Sequence, residues 1–319
     1  MAYRLEPDET VRSGILRCAA EQLDRAVSEL SEEIRTDPVK AVHSARKAVK
    51  RERSLLRLVR GSLPADQRRR ENRALRDAAR ELSGARDAEA MLDTLRGLAE
   101  RYVGQLPERT FDVVGAELER RRDVARARLL SSRIGAHAVT ELGAVRVRVA
   151  DWKLRRDGWN AFEDGLSRSY RDGRRAFAAA RDDRSMRRWH EWRKRTKDLW
   201  YQQRFLGEIA GPVVAGHGKD AHRLADLLGD IHDLGVLRRT LKQRFHAPVD
   251  SDGIVALIDH RIGQLQEEAV CIGARVFAER PKAFVRRVRR MWKAGTGHAA
   301  AVAAERPLEA PDPDELVSA

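Results

Sequence analysis

Three features of the 319-residue chain predict an all-α fold built as a helix bundle. Apolar residues recur at the 3.6-residue period along most of its length, which is the pattern of amphipathic helices rather than of strands. The period is interrupted where helices cannot continue: Asp37-Pro38, Gly61 to Pro64, Pro107, Gly211-Pro212, Pro248 and Pro281. Composition agrees, with 42% hydrophobic and 35% charged residues, the balance of a soluble, helix-rich protein.

Taken in order, the first half holds helices over residues 10–30, 38–60, 66–83, 87–103 and 108–130. Pro38 suits a first helical turn, Gly61 to Pro64 ends the second helix, and Pro107 separates the fourth from the fifth. Val145-Arg-Val-Arg-Val149 alternates like a strand but has no partner, so it is helix or connector. In the second half helices cover 157–181, 184–210, 214–230, 234–246, 252–279 and 281–294. The stretch Glu305 to Ala319, with three prolines and more acids than bases, is expected to be a disordered tail.

At this length there is chain for about two units with real cores. Cys18 and Cys271 lie far apart with no metal or redox spacing, and read as ordinary small hydrophobes in a reducing compartment. The amino terminus lacks the apolar core of a signal peptide, and no apolar run approaches bilayer length, so a cytoplasmic location is expected. The net charge of +14 favours acidic partners without identifying one.

A basic motif occurs twice. His43-Ser-Ala-Arg46-Lys47-Ala-Val-Lys50 returns 147 residues later as His190-Glu-Trp-Arg193-Lys194-Arg-Thr-Lys197. The form His-x-x-Arg-Lys-x-x-Lys places its four donors at i, i+3, i+4 and i+7, on one stripe of a helix. The stripe continues through Ser54 and Arg57 in the first copy and through Tyr201 and Arg204 in the second. The opposite face is apolar, with Ala45, Ala48, Val49, Leu55, Leu56 and Val59, then Trp192, Leu199 and Leu206.

Like charges within two turns repel by a few tenths of a kcal/mol per pair (roughly 0.2–0.5). Folding does not require that arrangement, and a bound anion relieves it. The chain has 53 Arg and 10 Lys, yet four of the ten lysines sit at matching places in the two motifs. Arginine offers a planar fork for phosphate, and lysine a compact charge that follows a flexible anion. Outside the motif, a run such as Arg68-Arg69-Arg70 reads as a solvated face.

A second echo supports duplication. Leu82-Ser-Gly-Ala-Arg-Asp87 returns loosely as Leu228-Gly-Asp-Ile-His-Asp233, displaced by 146 residues, so one deletion separates the copies. Asp87 and Asp233 fall near expected helix starts, where an acid caps free amides; the other role open to them is orienting a basic residue.

These residues carry a resemblance. His43, Arg46, Lys47 and Lys50, then His190, Arg193, Lys194, Lys197, Asp198, Leu199 and Tyr201, with Arg86-Asp87 and His232-Asp233, make the chain similar to the CHAD domains, named for a conserved histidine in an α-helical domain. The resemblance covers about residues 8–300. It implies two four-helix bundles related by pseudo-twofold symmetry, a first repeat over 8–150 and a second over 151–300, with 301–319 as tail. Basic residues of both halves would line a central groove or pore.

The family resembles binders of inorganic polyphosphate, some of them associated with polyphosphate granules, which implies a non-enzymatic binding protein without cofactor or metal. The site carried over comprises His43, Arg46, Lys47, Lys50, Arg57, His190, Arg193, Lys194, Lys197, Tyr201 and Arg204, with Arg76, Arg80 and Arg223 as weaker additions. Some positions depart from symmetry: Arg51 aligns with Asp198, Ser54 with Tyr201, and the cluster Arg168, Arg171, Arg174 and Arg175 has no first-half match. The Glu-x-Glu-x-Lys string of a triphosphate-tunnel domain is absent, so a stand-alone binding domain is expected.

Two other readings use the same residues. A nucleic-acid binder would exploit the charge, but aromatic residues are only 5% and no helix-turn-helix, zinc-finger or RNA-recognition string occurs. A metal-dependent phosphohydrolase could draw on His217, His222, His232-Asp233 and Asp259, but His232 aligns with Arg86, a poor metal ligand. Gly211 to Gly216 is followed by His217 rather than Lys, so no nucleotide-phosphate loop forms there.

Overall fold

Thr10 and Asp37 open the first two helices by accepting hydrogen bonds from the backbone N–H groups of Ser13 (3.1 Å) and Lys40 (3.0 Å), which satisfies amides that have no intrahelical partner. The computed structural model describes residues 3–131, 134–244 and 251–305, without the side chains of residues 83, 85, 86, 134, 244 and 298–305. Ten helices are present among these: α1 (Val11–Ser31), α2 (Pro38–Leu58), α3 (Ala65–Glu81), α4 (Ser83–Arg101), α5 (Glu108–Ser131), α6 (Ile134–Val149), α7 (Glu163–Asp182), α8 (Met186–Arg244), α9 (Asp252–Val276) and α10 (Pro281–Glu305). Short 3-10 turns occupy Glu33–Arg35 and Gly158–Ala161, and there is no strand among the described residues. The chain is all-α.

The apolar faces read from the motif helices are the faces that pack. Ala45, Ala48, Val49, Leu55, Leu56 and Val59 on one side, and Trp192, Leu199 and Leu206 on the other, are all buried. Each buried leucine contributes about 1.5–3 kcal/mol through removal of apolar surface from water. In the first half α1 packs on α2 and α6, and α3 on α6; in the second, α7 packs on α8, α8 on α9, and α10 on both α7 and α8. Trp152, Trp189 and Trp192 are among the largest fully buried side chains.

α8 bends once. Gly211 has φ +77 and ψ −176, a conformation that costs glycine little, and Pro212 follows it. The first limb, 186–210, carries the second basic motif. The second limb runs unbroken over 212–244, where helices over 214–230 and 234–246 with a gap between them were expected. Its first-half counterparts α3 and α4 are separated by Leu82 alone. The change of displacement from 147 to 146 residues falls before this joint, between Lys50 and Leu82 in the first half.

Val145-Arg-Val-Arg-Val149 is helical. Leu142, Val145 and Val149 are buried at helical spacing while Val147 is 73% exposed, so the alternation of residue types does not correspond to two faces. Cys18 is buried, whereas Cys271 lies on the exposed face of α9 and is not the buried small hydrophobe expected; both thiols are free. α10 continues to Glu305, so residues 301–305 of the expected tail are helical, and 306–319 lie outside the described residues.

The two halves meet where α2 crosses the first limb of α8. Ser54 Oγ donates to the Asp198 carbonyl at 3.0 Å, and the Arg57 guanidinium pairs with the Asp198 carboxylate at 3.0 Å. The amino-terminal segment crosses both halves: the Leu5 N–H donates to the Phe205 carbonyl at 2.9 Å, and the Tyr3 hydroxyl to the Arg51 carbonyl at 3.1 Å. α4 packs against α8 as well, and Thr240 Oγ1 lies 3.4 Å from Met91 Sδ. A space enclosed by α2, α4 and both limbs of α8 results.

Candidate functional site

That space is a cavity of about 410 Å³. α2 contributes His43, Arg46, Lys47 and Lys50, the whole first motif. The first limb of α8 contributes Arg193, Lys197, Trp200 and Tyr201, so the basic stripes of both halves face one cavity. Asp87 and Ala90 of α4 form another wall, and His222, Asp226, Asp230, His232 and Asp233 of the second limb close it.

Arg46 is held in place at both ends of its fork. Its Nη1 donates to the Ala79 carbonyl at 2.9 Å, an acceptor in the last turn of α3, and its Nη2 lies 3.9 Å from Asp87 Oδ1. Asp87 sits beyond the first turn of α4 and Asp233 well inside α8, so neither caps a helix as expected, and Asp87 instead orients a basic side chain of the site.

Burial leaves several cations short of solvent. Lys197 is pushed down to about 8 by burial and by Arg193, partly offset by Asp226 and Asp233. Lys47 is lowered by burial and by Arg51, Arg204 and Arg25, with Asp226 acting the other way. Arg193 Nε is shut off from solvent with no hydrogen-bond partner among the described residues. Such a donor costs free energy until an acceptor arrives.

His190 does not line the cavity. Its Nδ1 lies 3.2 Å from Nδ1 of His232, with ring centres 4.5 Å apart, so it positions His232, which does. His232 is pushed down to about 4 by burial, Arg193 and His190, and His190 is lowered by burial, Lys194 and Arg193. Both imidazoles are biased toward their neutral forms, in which the shared contact has one Nδ1 donating to the other.

Other expected residues lie elsewhere. Lys194 pairs with Glu191 at 2.5 Å, and Arg57 pairs with Asp198. Arg76 and Arg80 both approach Asp77, at 3.0 and 3.6 Å, and Arg223 pairs with Glu268 at 2.8 Å, all on exposed surface. Arg204 borders a neighbouring cavity instead. The cluster before the second motif is likewise engaged in part: Arg168 with Asp172 at 3.6 Å, and Arg174 with the Glu279 carbonyl at 2.9 Å.

The acids of the second limb are the residues that the motif did not reveal. Asp226, Asp230 and Asp233 stand at i, i+4 and i+7, a spacing that puts them on one stripe opposite the lysines; Asp230 is raised by burial and by its two neighbours. Their spacing is the available signal, easily read as a solvated helix face. Asp226 favours the charged form of Lys47 and Lys197, and Asp233 that of Lys197, so the cavity has a cationic wall and an acidic one.

The histidines of the hydrolase reading are separated. His217 Nδ1 is 2.7 Å from Gln203 Nε2 and its Nε2 3.0 Å from the Val276 carbonyl, a packing role away from the cavity. His222 pairs with Asp226 at 2.8 Å, and Asp259 with Arg238. Among the described residues no group of three or more His, Cys, Asp or Glu is arranged to hold a metal ion, and no helix is long and apolar enough to cross a membrane.

Comparison with known proteins adds four findings. The chain is similar in structure to the CHAD domain from the plant Ricinus communis, with 20% identity and a TM-score of 0.61, over 88% of this chain and 96% of that one. It is similar also to PptA from Streptomyces chartreusis, with 18% identity and a TM-score of 0.56, over 85% of this chain and all of that one, 100%. No curated protein matches. A family model for the CHAD domain matches residues 17–242, which include both basic motifs and most of the cavity walls, and the chain therefore belongs to the CHAD domain family.

Proposed function

We propose that this protein binds inorganic polyphosphate in the cavity between α2, α4 and α8, without turning it over. The observation that carries the reading is that the first basic motif and two residues of its second copy, Arg193 and Lys197, converge from opposite halves of the chain on a single cavity. Lys47, Lys50, Arg193 and Lys197 are the direct contacts, with Arg46 fixed beside them and His43 and His232 as imidazole donors. Tyr201 adds a hydroxyl. His190 acts through His232.

A phosphate chain carries about one negative charge per unit and accepts charge-assisted hydrogen bonds along its whole length. It supplies the acceptor that Arg193 Nε lacks, and it favours the protonated forms of Lys197 and the histidines. Lys194, Arg57, Arg76, Arg80 and Arg223 are engaged by the chain's own acids and contribute to the long-range field rather than to contact. Association with polyphosphate granules follows from such binding.

The test is titration of wild type and of a Lys47→Glu/Lys50→Glu/Arg193→Glu variant with polyphosphates of graded length, folding being checked by circular dichroism. Loss of binding in the folded variant supports the reading, and undiminished binding overturns it. Duplex DNA that displaces long-chain polyphosphate at equal phosphate concentration would favour the nucleic-acid reading, and phosphate release with added Mg²⁺ or Mn²⁺ the hydrolase one.

A further inference from the structure

Two further cavities adjoin the central one along the second limb of α8, with which each shares part of its lining. One, of about 320 Å³, shares Asp230 and Asp233 with the centre and adds Asp93 with Arg101 and Arg261. The other, of about 420 Å³, shares Trp200 and His222 with the centre and adds Arg4, Arg204 and Lys219 with Glu208. Trp200 and His222 form the partition, edge to face with ring centres 3.9 Å apart, and His222 is held by Asp226. Three carboxylates outweigh two arginines in the first, and three cations outweigh one carboxylate in the second, so a polyanion leaving the centre is favoured on the second side.

The crossing of α2 and α8 carries the same bias. At one end Arg57 is neutralised by Asp198. The repeat maps that pair onto Arg204 and Arg51, two cations. Arg51 is 7% exposed, its Nε has no hydrogen-bond partner, and it donates only to the neutral Gln22 at 3.2 Å, with the Tyr3 ring 5.8 Å away. No carboxylate lies within 4 Å of Arg51, Arg204 or Lys219 among the described residues. Burial and the charges of Arg204 and Arg25 both disfavour its proton. Arg51 lines neither cavity, so its uncompensated charge acts on an anion beside Arg204 through the local field and not by contact.

We infer that the cavity lined by Arg204 and Lys219 is a second phosphate subsite, which takes the units of a polyphosphate chain that leaves the central cavity over Trp200 and His222. The inference rests on the proposed polyphosphate reading and adds to it a direction: a bound chain extends to this side only. Arg4 and Glu208, both in the lining of this cavity, pair with each other at 3.2 Å, and Arg4 with Glu6 at 3.1 Å, so Arg204 and Lys219 carry the subsite.

Because Arg204 and Lys219 are both exposed, Arg204→Glu/Lys219→Glu should fold as wild type does. Binding of tripolyphosphate and of a chain of tens of phosphates is compared among wild type, this variant, and Arg76→Glu/Arg80→Glu on α3, which makes the same change of charge. Tripolyphosphate affinity should stay within about twofold, while long-chain affinity falls by about tenfold or more, as expected for loss of one or two charge-assisted contacts. The α3 variant should lose much less. An unchanged long-chain affinity, or an equal loss in the α3 variant, overturns the subsite. Wild type that binds neither anion overturns the polyphosphate reading itself, and the subsite with it.

Discussion

The Arg57 guanidinium meets the Asp198 carboxylate at 3.0 Å across the crossing of α2 and α8, and this pair has no equivalent at the other end of the crossing, where Arg51 stands in the position of Asp198. Burial pushes the Asp198 carboxyl up, while Arg57, Arg195 and Arg53 pull it back. Asp198→Asn keeps the shape and removes the charge, so the half-buried Arg57 keeps its bond to the Arg53 carbonyl but loses its charged partner. Stability should fall by about 1–3 kcal/mol, read from the urea midpoint, and Arg57→Gln/Asp198→Asn should lose less than the two single changes added together.

Lys197 makes binding depend on pH. With its ammonium at about 8 in the empty cavity, the proton begins to leave just above neutrality, and an adjacent polyanion raises that value. Polyphosphate affinity should therefore decline as pH rises from 7 to 9, with net proton uptake on binding near pH 8. Calorimetry in buffers of different ionisation enthalpy measures that uptake, and Lys197→Met should lower affinity at pH 7 and flatten the decline above it.

Glu52 is 0% exposed, neither carboxyl oxygen has a hydrogen-bond partner, and burial together with Glu71 pushes it up to about 8. The folded state therefore holds a proton that the unfolded chain releases near the usual carboxylate range. Its contribution is full below about pH 4.5, and is lost as pH rises toward 8. Glu52→Gln should be more stable than wild type near pH 8 and should show a shallower dependence of stability on pH between 5 and 8, followed by thermal denaturation.

Gly165 in α7 faces the end of α2 so closely that a Cβ there would lie 1.8 Å from the Leu58 carbonyl oxygen. That obstacle is backbone and cannot rotate away. Gly165→Ala should destabilise by about 1–3 kcal/mol, with a lowered midpoint in urea, whereas Gly97→Ala, with open space around it, should be neutral or stabilising.

The cationic wall was legible because its four donors repeat at helical spacing and lie opposite residues such as Val49 and Trp192 that pack. Helix boundaries at Pro38, Pro212 and Pro281 were legible for the same local reason, a residue that stops or starts a helix by its own geometry. What stayed hidden depends on neighbours. Asp226 and Asp230 look like solvent-facing acids until α2 is placed opposite them. Arg57 and Arg204 continue the stripes on paper, yet the crossing at Ser54 turns them away from the cavity and toward Asp198 and the Arg51 side. Val145 and Val149 resemble a strand because residue types alternate, and only burial distinguishes which of them face the core.

The unbroken second limb of α8 is about 50 Å long at 1.5 Å per residue, and it carries His222, Asp226, His232 and Asp233 on one stiff rod. The facing wall is jointed at Leu82, between α3 and α4. A guest in the cavity therefore meets groups whose spacing one helix fixes, like a ruler, while Asp87 and its partner Arg46 stand on two other helices.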